Sequence, residues 1–104
     1  MTNWQHQAVE FAQKHNFSPD PGVYALDCLS EMGEVAKEIL QATAYGRRPP
    51  QWTPEIRAEM GDLLYSLCLL AESVDVDLDQ ALAETLAKYT QRWQEKGDIG
   101  SSAL

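Results

Sequence analysis

Apolar residues recur every three or four positions through most of this chain, and this spacing constrains the fold more than any other feature. The third of four such segments, at about residues 54–74, shows it most clearly. Its apolar stripe consists of Ile56, Met60, Leu63, Leu64, Leu67, Leu70, Ala71 and Val74. Residues with this spacing share one side of an α-helix, because each residue turns the helix by ~100°. No segment shows the period-two alternation that is typical of a β-strand.

Capping and breaking residues divide this pattern into four helices. The predicted helices cover residues 3–16, Val23–Thr43, residues 54–74 and Leu78–Lys96. Their predicted N-caps are Asn3, Thr53 and Asp77. Pro54 at the first helical position supports the boundary at Thr53, and Gly97 marks the end of the fourth helix. The turn "FSPDPG" carries the predicted breakers Pro19, Pro21 and Gly22.

Four helices with short connections predict an all-α domain. The chain has 104 residues, which favours a single domain over residues 1–104 with a frayed tail over about 97–104. A domain of this size buries only part of its apolar surface by itself. The stripe of the fourth helix, for example, carries Leu82, Leu86 and Trp93. We therefore expect copies of the chain to assemble into a homo-oligomeric helical bundle, as a dimer or a tetramer.

Composition excludes several classes of function. The formal net charge is −8, whereas nucleic-acid binding requires a basic surface. The longest apolar run, "LCLLA" at 67–71, is too short to span a bilayer, and the sequence shows no secretory signal pattern. Cys28 and Cys68 lie inside apolar helical segments and form no CxxC pair. We expect two reduced, buried thiols in a cytoplasmic protein that binds neither nucleic acid nor membrane.

Acidic residues follow the border of the apolar stripe on the second helix. Asp27, Glu31, Glu34 and Glu38 occupy an arc of roughly 60° beside that stripe. Like charges at i, i+4 repel each other, so the arrangement calls for an explanation. The border position places carboxylates at the lip of a helix–helix groove. The third helix repeats the arrangement with Glu59, Asp62 and Ser66.

Two acid pairs of the same shape result, Glu31-x-x-Glu34 and Glu59-x-x-Asp62. If the second and third helices pack antiparallel, the pairs meet, and each charge then raises the pKa of its neighbours. Divalent cations relieve this repulsion, and an all-oxygen set of ligands suits Mg²⁺ or Mn²⁺. Neither pair has the histidine of a Glu-x-x-His di-iron site. The alternative from the pattern alone is two solvated acidic helix faces.

The segments "SEMGEVAKEI" and "RAEMGDLLYSLCLLAESVDVDLDQAL" resemble the MazG-like, all-α nucleotide pyrophosphohydrolases over about residues 23–93. That family's pattern is ExxE, a variable spacer (here Val35–Ala58) and ExxD. The likeness is to short, single-domain members, which form dimers or tetramers. It differs at Ser30, where some members carry an additional acid.

The resemblance implies Mg²⁺-dependent hydrolysis of nucleoside triphosphates or deoxynucleoside triphosphates to the monophosphate and pyrophosphate, with noncanonical or surplus nucleotides as the expected targets. It assigns Glu31, Glu34, Glu59 and Asp62 as metal ligands and catalytic acids. One of them, or Glu38, orients the attacking water. It also makes Lys88 and Arg92 candidates for phosphate contacts, with a solvated basic edge as the alternative.

Other residues have two interpretations each. Arg47 and Arg48 either close over a phosphate or solubilise the loop that carries them. Trp4, Trp52 and Trp93 either stack on a base or pack in a core or interface. His6 and His15 are interpreted as surface residues, and Tyr65 as an interface residue. For the whole chain, the alternatives to an enzyme are a non-catalytic helical interaction module with an acidic face and a metal-binding protein without turnover.

Overall fold

The computed structural model describes residues 3–15, 17, 18 and 20–100. Within these residues the chain forms four α-helices and no strand, which confirms the all-α prediction. The helices are α1 (Asn3–Lys14), α2 (Pro21–Ala42), α3 (Pro54–Ser73) and α4 (Leu78–Lys96). None of them, over the described range, is both long and apolar enough to cross a bilayer.

The start of α2 differs from the prediction. Pro21 and Gly22 were expected to break the chain, but α2 begins at Pro21. A proline at the first helical position lacks an N–H that would have no partner there, and its fixed φ suits the helix. The preceding Asp20 is the N-cap, and its carboxylate accepts a hydrogen bond from the Gly22 amide at 3.0 Å. Two residues interpreted as breakers therefore open the helix.

The ends of α3 and α4 lie within one residue of their predicted positions. Thr53 precedes Pro54 in extended conformation, and the Asp77 carboxylate accepts hydrogen bonds from the amides of Asp79 and Gln80. Gly97 ends α4 with a φ of 74°, in the left-handed region that favours glycine. The predicted cap at Asn3, the breaker at Pro19 and the last four residues of the tail fall outside the described side chains and residues.

The core lies where α1, α2 and α3 meet. Its buried residues are Val9, Ala12, Tyr24 and Leu69, with Phe17, Tyr65 and Leu70 packed around them. Tyr24 near the start of α2 meets Leu69 near the end of α3, so the two helices run antiparallel. The long α2–α3 contact is the main packing interface of the chain, and α1 covers part of α3.

The fourth helix stands apart from this core. Among the described residues, α4 packs along none of the other helices and has no buried residue. The fully buried Gln5 of α1 fixes its starting point: the side chain donates to the Val76 carbonyl oxygen and accepts from the Leu78 amide, both at 2.9 Å. The radius of gyration is 16.9 Å, against about 13 Å for a compact chain of this length.

Much of the predicted apolar stripe is consequently exposed. On α2, Met32 is 48% exposed and only Val35 of its predicted neighbours is buried. On α4, Leu86 is 53% exposed. Both cysteines are free, as predicted, but Cys28 is half-buried whereas Cys68 is buried. Periodicity correctly indicates the apolar face of each helix, but in a single copy of the chain part of that face has no cover.

Candidate metal centre

The antiparallel pairing of α2 and α3 brings the two acid motifs together. Glu31 contributes one carboxylate from α2, and Glu59 and Asp62 contribute two from α3. One carboxylate oxygen from each of the three lies within 4.8 Å of the others. Glu31 and Glu59 are half-buried, whereas Asp62 is exposed. The spacing of three residues between Glu59 and Asp62 puts both on the side of α3 that borders α2.

The other two predicted acids, Glu34 and Glu38, lie close enough to act electrostatically on this cluster. The pKa of Glu59 is raised above its usual value, first by loss of solvent and then by the charges of Glu34, Asp62, Glu31 and Glu38. All four neighbouring charges are negative. Within the described part of the chain, no lysine, arginine or histidine forms an ion pair with any of the five acids. The cluster therefore has a strong local excess of negative charge.

A divalent cation fits this set of donors. Hard cations such as Mg²⁺ prefer carboxylate oxygens, and the three donors that the described residues bring together are all carboxylates. Oxygens on opposite sides of a Mg²⁺ ion lie about 4.2 Å apart, which is twice the metal–oxygen distance. Adjacent oxygens on one Mg²⁺ ion lie only about 3 Å apart. The three carboxylate oxygens lie within 4.8 Å of one another, so the side chains would have to move closer together to share one ion.

The predicted phosphate contacts are not part of this cluster in a single chain. Lys88 and Arg92 lie on α4, on either side of Tyr89, with Lys88 Nζ 5.5 Å and Arg92 Cζ 5.9 Å from its ring centroid. Arg92 also donates to the Ile99 carbonyl oxygen at 3.1 Å. Since α4 does not pack along α2 or α3, the fold of one copy leaves these two cations away from the acids.

A cleft that sequence reasoning did not identify adjoins the acids at the end of α2. It is lined by Glu38, Gln41, Ala42, Arg48, Gln51, Trp52 and Thr53. The available signal was the helical position of Gln41, which lies two turns after Glu34 on the same side of α2. The Arg48 guanidinium donates to the backbone carbonyl oxygen of Gln41 at 3.2 Å, so the Arg48 side chain folds back onto α2.

The remaining candidates lie elsewhere. Trp4 lines a groove between α1 and α3, and Trp93 is exposed on α4. Tyr65, interpreted as an interface residue, packs edge-on against Phe11 of α1 with 6.0 Å between ring centroids. His6 and His15 are both exposed, as predicted.

Comparison with known proteins agrees with this geometry. The domain model described as "MazG nucleotide pyrophosphohydrolase domain" matches residues 22–96, a range that includes both acid motifs and α4. The chain therefore belongs to the MazG nucleotide pyrophosphohydrolase family, as the resemblance implied.

One curated relative is the uncharacterised protein YpjD of Bacillus subtilis (strain 168), which is 32% identical over 69 residues. The match covers 64% of this chain and 60% of YpjD, so the chain spans about three fifths of that relative's length. No solved structure matches the chain.

Proposed function

We propose that this protein is a Mg²⁺-dependent nucleoside triphosphate pyrophosphohydrolase that converts nucleoside or deoxynucleoside triphosphates to the monophosphate and pyrophosphate. The observation that carries the proposal is the convergence of Glu31, Glu59 and Asp62 within 4.8 Å. Acids from two helices, far apart in sequence, share one site, and no basic side chain among the described residues forms an ion pair with them. Membership of the pyrophosphohydrolase family gives that site its reaction class.

The roles follow from position. Glu31, Glu59 and Asp62 would hold one Mg²⁺ or Mn²⁺ ion, and Glu34, whose charge acts on Glu59, would complete the set of ligands. A bound ion would neutralise charge between the acids and a triphosphate and acidify a water molecule. Glu38 is half-buried at the edge of the cluster. There it would accept a hydrogen bond from the attacking water and so orient it.

We further propose that the protein works as a homo-oligomer built from single-domain copies. The exposed apolar side of α4 carries Leu82, Leu86 and Trp93. Leu29 on α2 is 71% exposed and Met60 on α3 is 57% exposed. Apolar surface on three helices, together with an α4 that no other helix of its own chain covers, supports packing against another copy. A dimer or a tetramer would bury it.

Oligomer formation would also give Lys88 and Arg92 a role. Their own chain leaves them away from the acids, but the α4 of a second copy could bring its cations to that site. Arginine and lysine there would bind the phosphates that the metal does not. Such an arrangement would give both residues the substrate-binding role that the family resemblance implied.

The exposed apolar surface also supports the second candidate, a non-catalytic helical interaction module with an acidic face. A panel assay separates the two. The purified protein is incubated with Mg²⁺ or Mn²⁺ and each of the nucleoside and deoxynucleoside triphosphates, including dUTP, and products are separated by ion exchange. Monophosphate and pyrophosphate in equal amounts are expected. Intact helical protein that releases neither product with either metal, whatever the nucleotide, would favour the interaction module.

A further inference from the structure

The cleft beside Glu38 is a built feature of the fold. It has a volume of about 240 Å³ and lies between the last turn of α2, the connector of residues 43–53 and the start of α3. Backbone hydrogen bonds hold the connector in place: the Tyr45 amide donates to the Leu40 carbonyl oxygen at 2.7 Å, and the Gln51 amide to that of Ala42 at 2.9 Å. The side-chain bond from Arg48 to α2 adds a third tie.

The connector carries strained backbone as well. Ala44 and Tyr45 have φ angles of 46° and 60°, in the left-handed region that residues with a side chain rarely adopt. Gly46 follows at 83°. Strain of this kind persists only where the surrounding hydrogen bonds determine the conformation. In this connector, the residues with left-handed backbone turn the chain back, so that Gln51 and Trp52 lie beside α2.

The cleft continues the row of acids along α2. Glu38 belongs both to its lining and to the charges that raise the pKa of Glu59. A helix rises 1.5 Å per residue, so Gln41 lies about 10 Å along α2 from Glu34. A nucleotide whose phosphates lie at the acids would extend over a similar distance to its base. A nucleoside triphosphate that extended from the acids along α2 towards the connector would place its base in this cleft, which Glu38 links to the acid row.

The lining suits a planar heterocycle. Trp52 is 59% exposed and so offers an indole face on which a base can stack. The side-chain amides of Gln41 and Gln51 each supply one acceptor and two donors, the groups that read the edge of a base. The volume is smaller than that of sites for whole drug-sized ligands, which favours a base alone over a whole nucleotide.

We propose that this cleft binds the nucleobase of the substrate, with the base stacked on Trp52 and its edge hydrogen-bonded by Gln51. The proposal rests on the proposed function, because it takes the phosphates to be held at the acids. It assigns base preference to the α2–α3 connector, whereas the acids act on the phosphates of any nucleotide.

The test compares Trp52→Ala, Trp52→Phe and Gln51→Leu with the unaltered protein. Each is assayed for hydrolysis of the deoxynucleoside triphosphate panel and of methyl triphosphate, which has phosphates but no base. Binding of a non-hydrolysable α,β-methylene deoxynucleoside triphosphate is measured by calorimetry. Trp4→Ala is the matched control, since it removes another exposed indole, from the α1–α3 groove. Circular dichroism checks that every variant is folded.

We expect Trp52→Ala to raise KM for nucleotides about 5- to 150-fold, the range of base–aromatic stacking. The kcat and the hydrolysis of methyl triphosphate should not change, and Trp52→Phe should retain most of the affinity. Gln51→Leu should change the ratio of kcat/KM values between bases. The proposal is wrong if Trp52→Ala leaves KM unchanged, if methyl triphosphate is affected equally, or if Trp4→Ala has the same effect.

Failure of the proposed function looks different. If the unaltered protein binds the non-hydrolysable nucleotide but hydrolyses none of the panel, the pyrophosphohydrolase is excluded, and a weaker affinity in Trp52→Ala still supports the base site. If it binds no nucleotide at all, both proposals are excluded.

Discussion

Glu59 on α3 lies across the antiparallel helix pair from Glu31 on α2, with a carboxylate oxygen of each within 4.8 Å of the other. Residues 35–58, which include the connector, separate the two motifs in sequence, but the fold brings them together. Desolvation and four negative neighbours raise the pKa of Glu59. Repulsion among these carboxylates therefore destabilises the folded protein when no metal is bound, and a cation bound there would relieve it.

The raised pKa predicts a pH dependence for the stability of the metal-free protein. Folded Glu59 binds a proton more readily than unfolded Glu59 does, so its contribution to the free energy of unfolding increases as pH falls through the raised pKa. Above the raised pKa, the ionised Glu59 instead lowers the free energy of unfolding. Glu59→Gln should therefore be more stable than the unaltered protein at pH 7 in EDTA, and the difference should shrink towards pH 5. Urea unfolding at several pH values measures it.

Glu55 is the matched control for that experiment. It lies one turn before Glu59 on α3, but its pKa is lowered by its own backbone amide and by the Thr53 hydroxyl. Its contribution to stability is present at neutral pH and is lost as pH falls through the lowered pKa. Glu55→Gln should therefore be less stable than the unaltered protein at pH 7. Shifts of the same sign in both variants would contradict the electrostatic account of the cluster.

Mg²⁺ should stabilise the folded protein at pH 7. A ligand that binds only the folded state at 100 times its Kd adds about 2.7 kcal/mol to the free energy of unfolding. Thermal unfolding in EDTA and in increasing Mg²⁺ measures the effect, which Glu59→Gln should greatly reduce and Glu55→Gln should not. An equal rise in Tm for all three proteins would show that the ion binds elsewhere.

The exposed side of α4 predicts that one charge can separate the copies. Leu86→Glu places a carboxylate in the centre of the apolar side of α4, and a buried unpaired charge is strongly unfavourable in an interface. Light scattering after size exclusion should show a smaller species than the unaltered protein forms. Ala87→Glu adds the same charge to the opposite side of α4 and should not change the mass. An unaltered protein that is already monomeric would contradict the oligomer.

The two hydrogen bonds that the Gln5 side chain makes to the α3–α4 connection should contribute to the free energy of unfolding. Gln5→Leu keeps the volume but removes both hydrogen bonds to the backbone of Val76 and Leu78. Leaving these partly buried backbone groups without the Gln5 side chain should lower the free energy of unfolding by about 1–3 kcal/mol. Gln7→Leu, an exposed neighbour on α1, should change it much less. Urea unfolding of both variants provides the comparison.

If Lys88 and Arg92 bind the phosphates of the substrate, replacing either residue should weaken substrate affinity and leave the fold unchanged. Each charge-assisted contact to a phosphate should contribute about 1.5–3 kcal/mol. Lys88→Ala and Arg92→Ala should therefore raise KM at least tenfold, with helical content unchanged. Lys37→Ala, which removes an exposed cation from α2, should leave KM as it is. If all three variants behave alike, α4 has no specific role in binding phosphate.

Much of the fold and of the acid site follows from the sequence for physical reasons. Caps such as Asp77 and Gly97 act within a few residues, so local sequence determines the bounds of α4. Acids three residues apart share a helix face, so Glu59 and Asp62 could be paired before the structure was known. The antiparallel packing of α2 and α3 was the one additional assumption that brought Glu31 to them.

Other features depend on contacts that periodicity does not encode. A stripe such as that of α4 shows that Leu86 needs cover, but not whether its own chain or another copy provides it. In the sequence, Gln5 is an ordinary polar residue of an amphipathic helix. Only the structure shows that its side chain is buried and bonded to the backbone of Val76. The sequence left two interpretations for Trp52, base stacking or packing, because only the folded connector places its indole in one cleft with Glu38.

Hydrolysis by the unaltered protein, by Glu59→Gln and by Glu55→Gln tests the central claim most directly. Each is incubated with Mg²⁺ and the best nucleotide of the panel, and monophosphate and pyrophosphate are followed by phosphorus NMR. Glu59 is proposed to hold the ion that acts on the phosphates, so removing its charge should lower kcat by a factor on the order of 10²–10³. We predict that loss for Glu59→Gln, with the fold intact, and near-normal turnover for Glu55→Gln. Equal turnover by all three proteins would contradict the assignment of the acid cluster as the catalytic site.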